Sequence, residues 1–374
     1  MKITALKISK KPKLDWILLV CTILLVGFGI LMVYSASYYS AELTYGDPMF
    51  FAKKQIVGAV IGFVGLIVCS FINYNKLLKL KWPAIIISVV LLALVFIPGL
   101  GITNYGATRW INLGVTTMQP SEIAKFGFVI FASAYLAKNY NKVKKFTGIL
   151  PVIIAGGVIC FLIILEPNMS ITICVALTMI VMLIIGGAKF KHFLLIGIAM
   201  VVLAVALVLM EPYRLKRLLA FLDPWSSAQD EGFQLVQSLY AVGSGGWFGV
   251  GLFNSRQKYL FLPFAESDFI FSIIAEEFGF VGCVLLCLVY LVIILRGLKI
   301  AKNATNRFGC YLATGVVTII AIQLVMNIAV VTGSIPPTGL PLPFISAGST
   351  SLLVFMSAIG VVLNVDRQSR NNRI

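Results

Sequence analysis

The chain has 374 residues, of which 60% are hydrophobic and only 12% charged, with a formal net charge of +16. Soluble domains carry about 25% charged residues, so this composition, with a mean hydropathy of +0.99, excludes an ordinary water-soluble globule. The apolar residues come in blocks about as long as a bilayer is thick, which reads as an all-α polytopic membrane protein forming one unit over 1–374.

Residues 1–13 form a basic arm. The first span, 16–34, is too long and uninterrupted for a cleaved signal peptide and reads as a signal anchor. Further spans are expected at 55–73, 82–100, 121–137, 147–165, 169–187, 193–210, 268–295, 308–332 and 344–364, about ten in all. With the N-terminus placed inside, 21 of the 30 Lys and Arg fall in the inner segments and 8 in the outer ones. The positive-inside rule therefore predicts both termini in the cytoplasm, in a multi-pass plasma-membrane protein. The cations follow topology, so nucleic acid is not an expected partner. The seven cysteines are scattered inside apolar runs without a CxxC, and the single His192 has no companion ligand, so neither disulfides nor a metal cluster are expected.

Between the seventh and eighth spans lies a long external loop, 211–267. Asp223 to Trp225 reads as a turn with an interfacial anchor. Residues Phe233, Val236 and Tyr240 share a helical face, with Gln234 and Gln237 turned away. The glycines of Gly243 to Gly251 then break any helix, and such backbone survives near a membrane only where it is buried or lines a cavity.

The most telling stretch is QKYLFLPFAESDFIFSIIAEEFGFVG, Gln257 to Gly282, where Asp268, Glu276 and Glu277 enter an apolar run. Each carboxylate costs several kcal/mol in hydrocarbon unless it faces a cavity or a partner. At about 100° per residue, Asp268, Ser272, Ala275, Gly279 and Gly282 fall in one stripe of a helix. Three other external segments are unusually polar. In GATRWINLGVTTMQPSEIAK, Pro120 suits a first helical turn and Glu122 can meet Lys125; as an exposed ion pair it would be worth only about 0–1 kcal/mol. EPNMS, Glu166 to Ser170, reads as a solvated hairpin tip. GSIPPTGLPLPFISAGSTS, Gly333 to Ser351, reads as a broken entry to the last span, whose backbone amides could hold an anion.

These segments, in this order, resemble the SEDS family of bacterial cell-wall synthesis. RWINLG…QPSEIAK, YRLKR…FLDPW…GFQLVQSLYAVGSGG, SRQK…LP…SDFIFSIIAEEFG and NIAVVTGSIPPTGLPLPFISAGSTS carry the likeness from the first span to the last. GFQ and SRQK favour the FtsW/SpoVE branch over the RodA branch. The resemblance implies a ten-span bundle that polymerises lipid II into glycan strands at the outer leaflet, during division at the septum or in sporulation. It also implies a class B penicillin-binding transpeptidase and other divisome proteins as partners. The essential acid of the family maps onto Asp268. Expected around the substrate are Arg109, Gln119, Ser121, Glu122, Lys125, Gln257, Lys258, Glu276 and Ser346. The sequence departs from the family at Phe264, Glu266, Ser267, Asn168, Ala347 and Ser349. Such chemistry needs a base for the acceptor sugar's 4-hydroxyl and positive charge for a pyrophosphate leaving group. Arg109, Lys125 and Lys258 are the expected cations, and a Mg2+ or Mn2+ ion held by an acid and the pyrophosphate would serve the same end. A lipid II flippase or a non-catalytic division scaffold are the competing classes; the crowding of polar motifs at one face favours an enzyme.

Overall fold

The computed structural model describes residues 14–104, 107–112, 114, 117–194, 197, 212–337 and 339–371. Helix α1 (Trp16–Tyr45) starts where the Asp15 carboxylate accepts the Leu18 N–H at 3.1 Å, and ends at Gly46, whose φ of 66° no side chain adopts readily. It is followed by α2 (Phe50–Phe71), the short α3 (Asn75–Lys79) and α4 (Lys81–Leu94). After the sheet described below come α5 (Pro120–Lys138), α6 (Phe146–Leu165) and α7 (Met169–Ile185). Asn168 caps α7 by accepting the Ile171 N–H at 3.3 Å, a role an Asp would fill equally. Next come α8 (Pro212–Leu222) and α9 (Phe233–Ser244), before α10 (Ile270–Lys302), α11 (Arg307–Val331) and α12 (Ser349–Asn371).

Six of these, α1, α2, α6, α10, α11 and α12, are long and apolar enough to cross a membrane, and α4 and α7 are shorter apolar helices. The expected seventh span, 193–210, lies almost wholly outside the described residues. Helix α11 sits centrally, packed by α5, α7, α10 and α12. Helix α12 runs along α2, and the contact is made by small residues. A Cβ on Gly58 would lie 2.9 Å from the Ser349 Cα, and one on Gly62 2.7 Å from the Met356 Sδ. Without a hydrophobic drive between helices in lipid, such close backbone approach supplies the packing. Asp15 receives the Arg296 guanidinium at 3.0 and 3.2 Å, with Arg370 3.7 Å away, so the ends of α1, α10 and α12 meet on one carboxylate.

Two elements differ from expectation. Residues 101–118 form a small antiparallel sheet, β1 (Gly101–Asn104), β2 (Ala107–Asn112) and β3 (Thr117–Met118), in the order β1-β2-β3, where no strand was expected. Ile102 pairs with Trp110 and Ile111 with Met118. The strands are too short for an alternating pattern to stand out in an apolar chain. In α9 the buried face is Leu235, Val236, Ser238 and Ala241, while Tyr240 is exposed and stacks edge-on with Trp225 at 5.3 Å. The helix is set by Ser238, which donates to the Val331 carbonyl at 2.8 Å and also bonds Ser272 at 2.8 Å.

The helix that carries Asp268 is broken. Gly279, at φ 64° and ψ −167°, divides α10 into an outer piece, Ile270 to Phe278, and a long inner piece. The glycine-rich loop after α9 fills the break: Val250 and Gly251 N–H groups donate to the Glu276 and Glu277 carbonyls at 2.9 and 3.1 Å, and Phe280 and Val281 N–H groups donate to Gly246 and Trp247 at 2.9 and 3.1 Å. The backbone groups freed by the kink are thereby satisfied by protein. The expected stripe Asp268 to Gly282 is cut at this point. Two constraints coincide at Gly279, since a Cβ would also lie 2.4 Å from the Gly249 amide nitrogen. Gly279→Ala should therefore lower the thermal melting midpoint of the purified protein by several degrees, whereas Gly27→Ala, with nothing within 4 Å in α1, should leave it unchanged or slightly raised.

Candidate functional site

A polar cavity of about 290 Å3 opens where the head of α2, strand β2, the head of α12 and the approach to α10 converge. Lys54, Gln55, Trp110, Gln119, Glu266 and Thr350 are among its lining residues. Ser267 also lines it, which places Asp268 next in the chain, two residues before the first turn of α10.

The proline-rich segment after α11 is a strap that fixes this approach. Asn327 donates its amide to the Asp268 carbonyl at 2.8 Å and to the Leu340 carbonyl at 2.7 Å. Ser346 donates to the Ser267 carbonyl at 2.6 Å while accepting the Leu342 N–H at 2.7 Å, and the Ala347 N–H reaches the Glu266 carbonyl at 2.9 Å. Gln55 ties the strap to α2, donating to the Ser346 carbonyl at 3.1 Å and accepting the Gly348 N–H at 3.2 Å. Gly339, at φ 68°, passes so close to Asp268 that a Cβ would stand 2.9 Å from its Oδ2. Asp268 is half-buried. Burial pushes the neighbouring Glu266 carboxyl above the usual carboxylate range; a backbone hydrogen bond opposes this and the Asp268 charge adds to it.

Of the residues expected around a substrate, only Gln119 lines the cavity. Glu276 and Lys258 belong to a clasp behind the outer piece of α10. The Glu276 carboxylate accepts the Arg256 N–H at 2.9 Å, the Gln257 N–H at 3.4 Å and the Ser255 hydroxyl. Glu277 accepts Lys258 Nζ at 2.9 Å and the Ser35 hydroxyl of α1 at 2.7 Å. The clasp thus uses Ser255 to Lys258, the SRQK run, as a handle on the broken helix. Ser346 spends its hydroxyl inside the strap. Ser121, Glu122 and Lys125 are sealed within the bundle, with Lys125 2.9 Å from Glu122 and both side chains fully buried. The pair is not the exposed one expected: removing one partner from a buried pair costs about 3–5 kcal/mol.

Strand alternation separates Arg109 from Trp110. Trp110 faces the cavity, while Arg109 donates to the Glu166 carbonyl at 3.2 Å and to the Pro167 carbonyl. The EPNMS turn is consequently not a solvated tip. Glu166 is fully buried, neither carboxylate oxygen has a hydrogen-bond partner among the described residues, and burial pushes its carboxyl up to about 8 against the opposing pull of Arg109.

Lys54 and Gln55 were not singled out from sequence. The available signal was the pair Lys53 and Lys54 at the outer end of a span, against the prevailing charge asymmetry. Lys54 Nζ lies 4.1 Å from the Phe50 ring centre, beside the cavity. Glu266 lines the cavity, and Asp268 follows two residues later in the chain. Among the described residues no three His, Cys, Asp or Glu side chains group as metal ligands.

The model of the cell cycle protein family FtsW/RodA/SpoVE matches residues 15–371. The stage V sporulation protein E of Bacillus subtilis (strain 168) is 41% identical over 366 residues, covering 97% of this chain and 99% of that protein. A probable peptidoglycan glycosyltransferase FtsW of Geobacter sp. (strain M18) is 38% identical, covering 95% and 97%. Among solved structures, a chain of a peptidoglycan synthase complex, studied for its coordination of polymerization and crosslinking, matches with TM-score 0.78 and 26% identity, covering 95% of this chain and 98% of that one. The crystal structure of the Thermus thermophilus rod shape determining protein RodA matches with TM-score 0.68 and 25% identity over 95% and 97%. A helical, multi-pass membrane protein is the class that fold and relatives define. The chain belongs to the FtsW/RodA/SpoVE family.

The buried Glu166 carboxyl gives a pH signature. Its folded pKa is raised, so the folded state holds a proton that the unfolded chain releases above about pH 4.5. Stability then falls as pH rises from about 4.5 to about 8 and levels off above. Glu166→Gln should melt like wild type near pH 5 and clearly higher than wild type near pH 9; equal melting curves at both would refute the assignment.

Proposed function

We propose that this chain is a peptidoglycan glycosyltransferase that polymerises lipid II into glycan strands at the outer leaflet, working in cell division or sporulation. The full-length match to proteins named probable peptidoglycan glycosyltransferase FtsW carries the reading, and the polar cavity beside Asp268 supports it. In this reading Asp268 takes the proton from the acceptor sugar's 4-hydroxyl as that oxygen attacks the anomeric carbon of the donor strand. The pyrophosphate leaves toward Lys54, the cation that lines the cavity. Lys125 and Lys258 are each committed to a buried carboxylate and act on the shape of the site instead. Glu266 and Asp268 are the carboxylates that would hold a Mg2+ or Mn2+ ion, and such an ion would supply positive charge against the leaving pyrophosphate.

The strap and the clasp fix both sides of Asp268, so the base is presented without reorganisation when substrate arrives. A class B penicillin-binding transpeptidase is the expected partner, by analogy with the synthase complex that this chain resembles. Other divisome membrane proteins and a septal location follow from the same reading.

The activity is tested with purified protein, a partner transpeptidase whose own active site is blocked, and labelled lipid II. Asp268→Asn keeps shape but cannot accept a proton, so polymerisation should fall by about 10²–10⁴-fold, with partner binding intact. Glu266→Gln should retain more activity. Polymerisation at the wild-type rate by Asp268→Asn would remove the base and favour a flippase or scaffold.

The outer-leaflet placement is tested separately. It is motivated by the 21-to-8 distribution of cations between inner and outer segments. In a background with all seven cysteines replaced, a membrane-impermeant thiol reagent should label Ser227→Cys and not Asn303→Cys. The opposite pattern would invert the topology.

A further inference from the structure

Behind the cavity, the bundle holds a group of polar side chains that no part of the mechanism uses. Gln323 of α11 is fully buried, and neither its Oε1 nor its Nε2 has a hydrogen-bond partner among the described residues. The same is true of the second carboxylate oxygen of Glu122, Oε2, and of the Ser121 hydroxyl, both at the head of α5. One turn outward from Gln323, Asn327 leaves its Oδ1 unpartnered while its amide holds the Asp268 carbonyl.

These groups share a depth. A Cβ on Gly315 of α11 would lie 2.5 Å from Val129 Cγ1 of α5 and 3.2 Å from Met182 Sδ of α7, which fixes one level common to the three helices. The cavity is lined by Gln119, just before α5, and by Pro341, after α11, so the start of α5 and the end of α11 lie at the same face. The turn that opens α7 is tied to β2 at that face by Arg109. From the Gly315 level, about 12 Å of helix rise toward that face brings α11 to Gln323, α5 to Ser121 and α7 to Cys174. Cys174 indeed feels the charges of both Lys125 and Glu122.

Four polar atoms at one level in a dry bundle would each be left without a bond, the most costly way to bury them. Internal water needs two to four such partners, and a site of this kind is where it binds. We propose that Gln323 is a positioning residue, binding internal water together with Ser121 so that the water bonds the second oxygen of Glu122 and fixes the Glu122–Lys125 pair. That pair stands in the first turns of α5, which begins directly after the cavity-lining Gln119, so holding the pair holds the start of α5 beside the cavity. The proposal deepens the glycosyltransferase reading and rests on it for the activity it affects.

The test uses Gln323→Met, which keeps length and removes both polar atoms, in the full chain with its partner transpeptidase. In a dry site this change is neutral or stabilising. With bound water it strands Glu122, so the melting midpoint should fall, and the fall should vanish in the Glu122→Gln background. Turnover should drop about tenfold at nearly unchanged KM for lipid II, with partial recovery in Gln323→Asn, which keeps the amide. A melting loss that persists undiminished in Glu122→Gln overturns the proposal. So does turnover at the wild-type rate in Gln323→Met, whatever its melting midpoint. If wild type itself makes no glycan, the glycosyltransferase reading fails, while the melting cycle still decides whether Gln323 and Glu122 are joined through water.

Discussion

Everything around the site depends on one interruption, the helix break at Gly279. A continuous helix would carry Glu276 and Glu277 round a lipid- or core-facing surface where two adjacent carboxylates have no solvent. The break turns both into the protein, where Ser255, Arg256 and Gln257 cover one and Lys258 with Ser35 covers the other. In exchange, the exposed backbone of the kink must be bonded, and the glycine-rich loop Gly246–Gly251 meets it amide for carbonyl. Neither half of this arrangement is stable alone. The acids need the loop to hold the kink, and the loop needs the kink to receive its amides. The outer piece of α10 is thereby made into a short rigid rod with Asp268 at its tip.

The strap performs the complementary task from the other direction. Its prolines cannot continue α11, and its Ala347 N–H and Ser346 hydroxyl donate to the Glu266 and Ser267 carbonyls on the approach to α10. Asn327, Ser346 and Gln55 each bridge two segments. Phe264, at φ 56°, and Phe344, at φ 69°, hold backbone conformations that side chains seldom adopt, one on each face of this junction. Strain of that kind persists only where surroundings over-determine it.

The spans were legible because a bilayer imposes length and apolarity on each of them, and α6, α7 and α11 begin and end within a few residues of their expected positions. Asp268 stands out in the sequence for a related reason, since an acid entering a long apolar run needs a cavity or a partner. What the sequence hid is which polar residues face one another. Arg109 and Trp110 are neighbours in the chain, yet a strand sends them to opposite faces, and no strand was apparent. Glu122 is within reach of Lys125 in the sequence, but the full burial of that pair, and the pairing of Lys258 with Glu277, are not apparent there. Glu166 read as solvated because turns in membrane proteins are commonly at the surface, whereas this one is covered by the sheet. Lys54 was counted only as loop charge. These errors share a cause: burial of a charge is decided by tertiary neighbours, and local pattern carries little of that information.

The contact between α2 and α12 has a consequence for the order of assembly. Ser349, Thr350 and Ser351, which begin α12, form one wall of the cavity, and their place is fixed by the glycines of a helix made near the start of synthesis. During translation, the cavity therefore stays open on that side until α12 leaves the ribosome and packs along α2. A nascent chain halted before that moment carries the approach to α10 but not the wall that Ser349, Thr350 and Ser351 supply. The cavity is thus completed only once α12 has been made, and a copy halted earlier in the membrane lacks one of its walls.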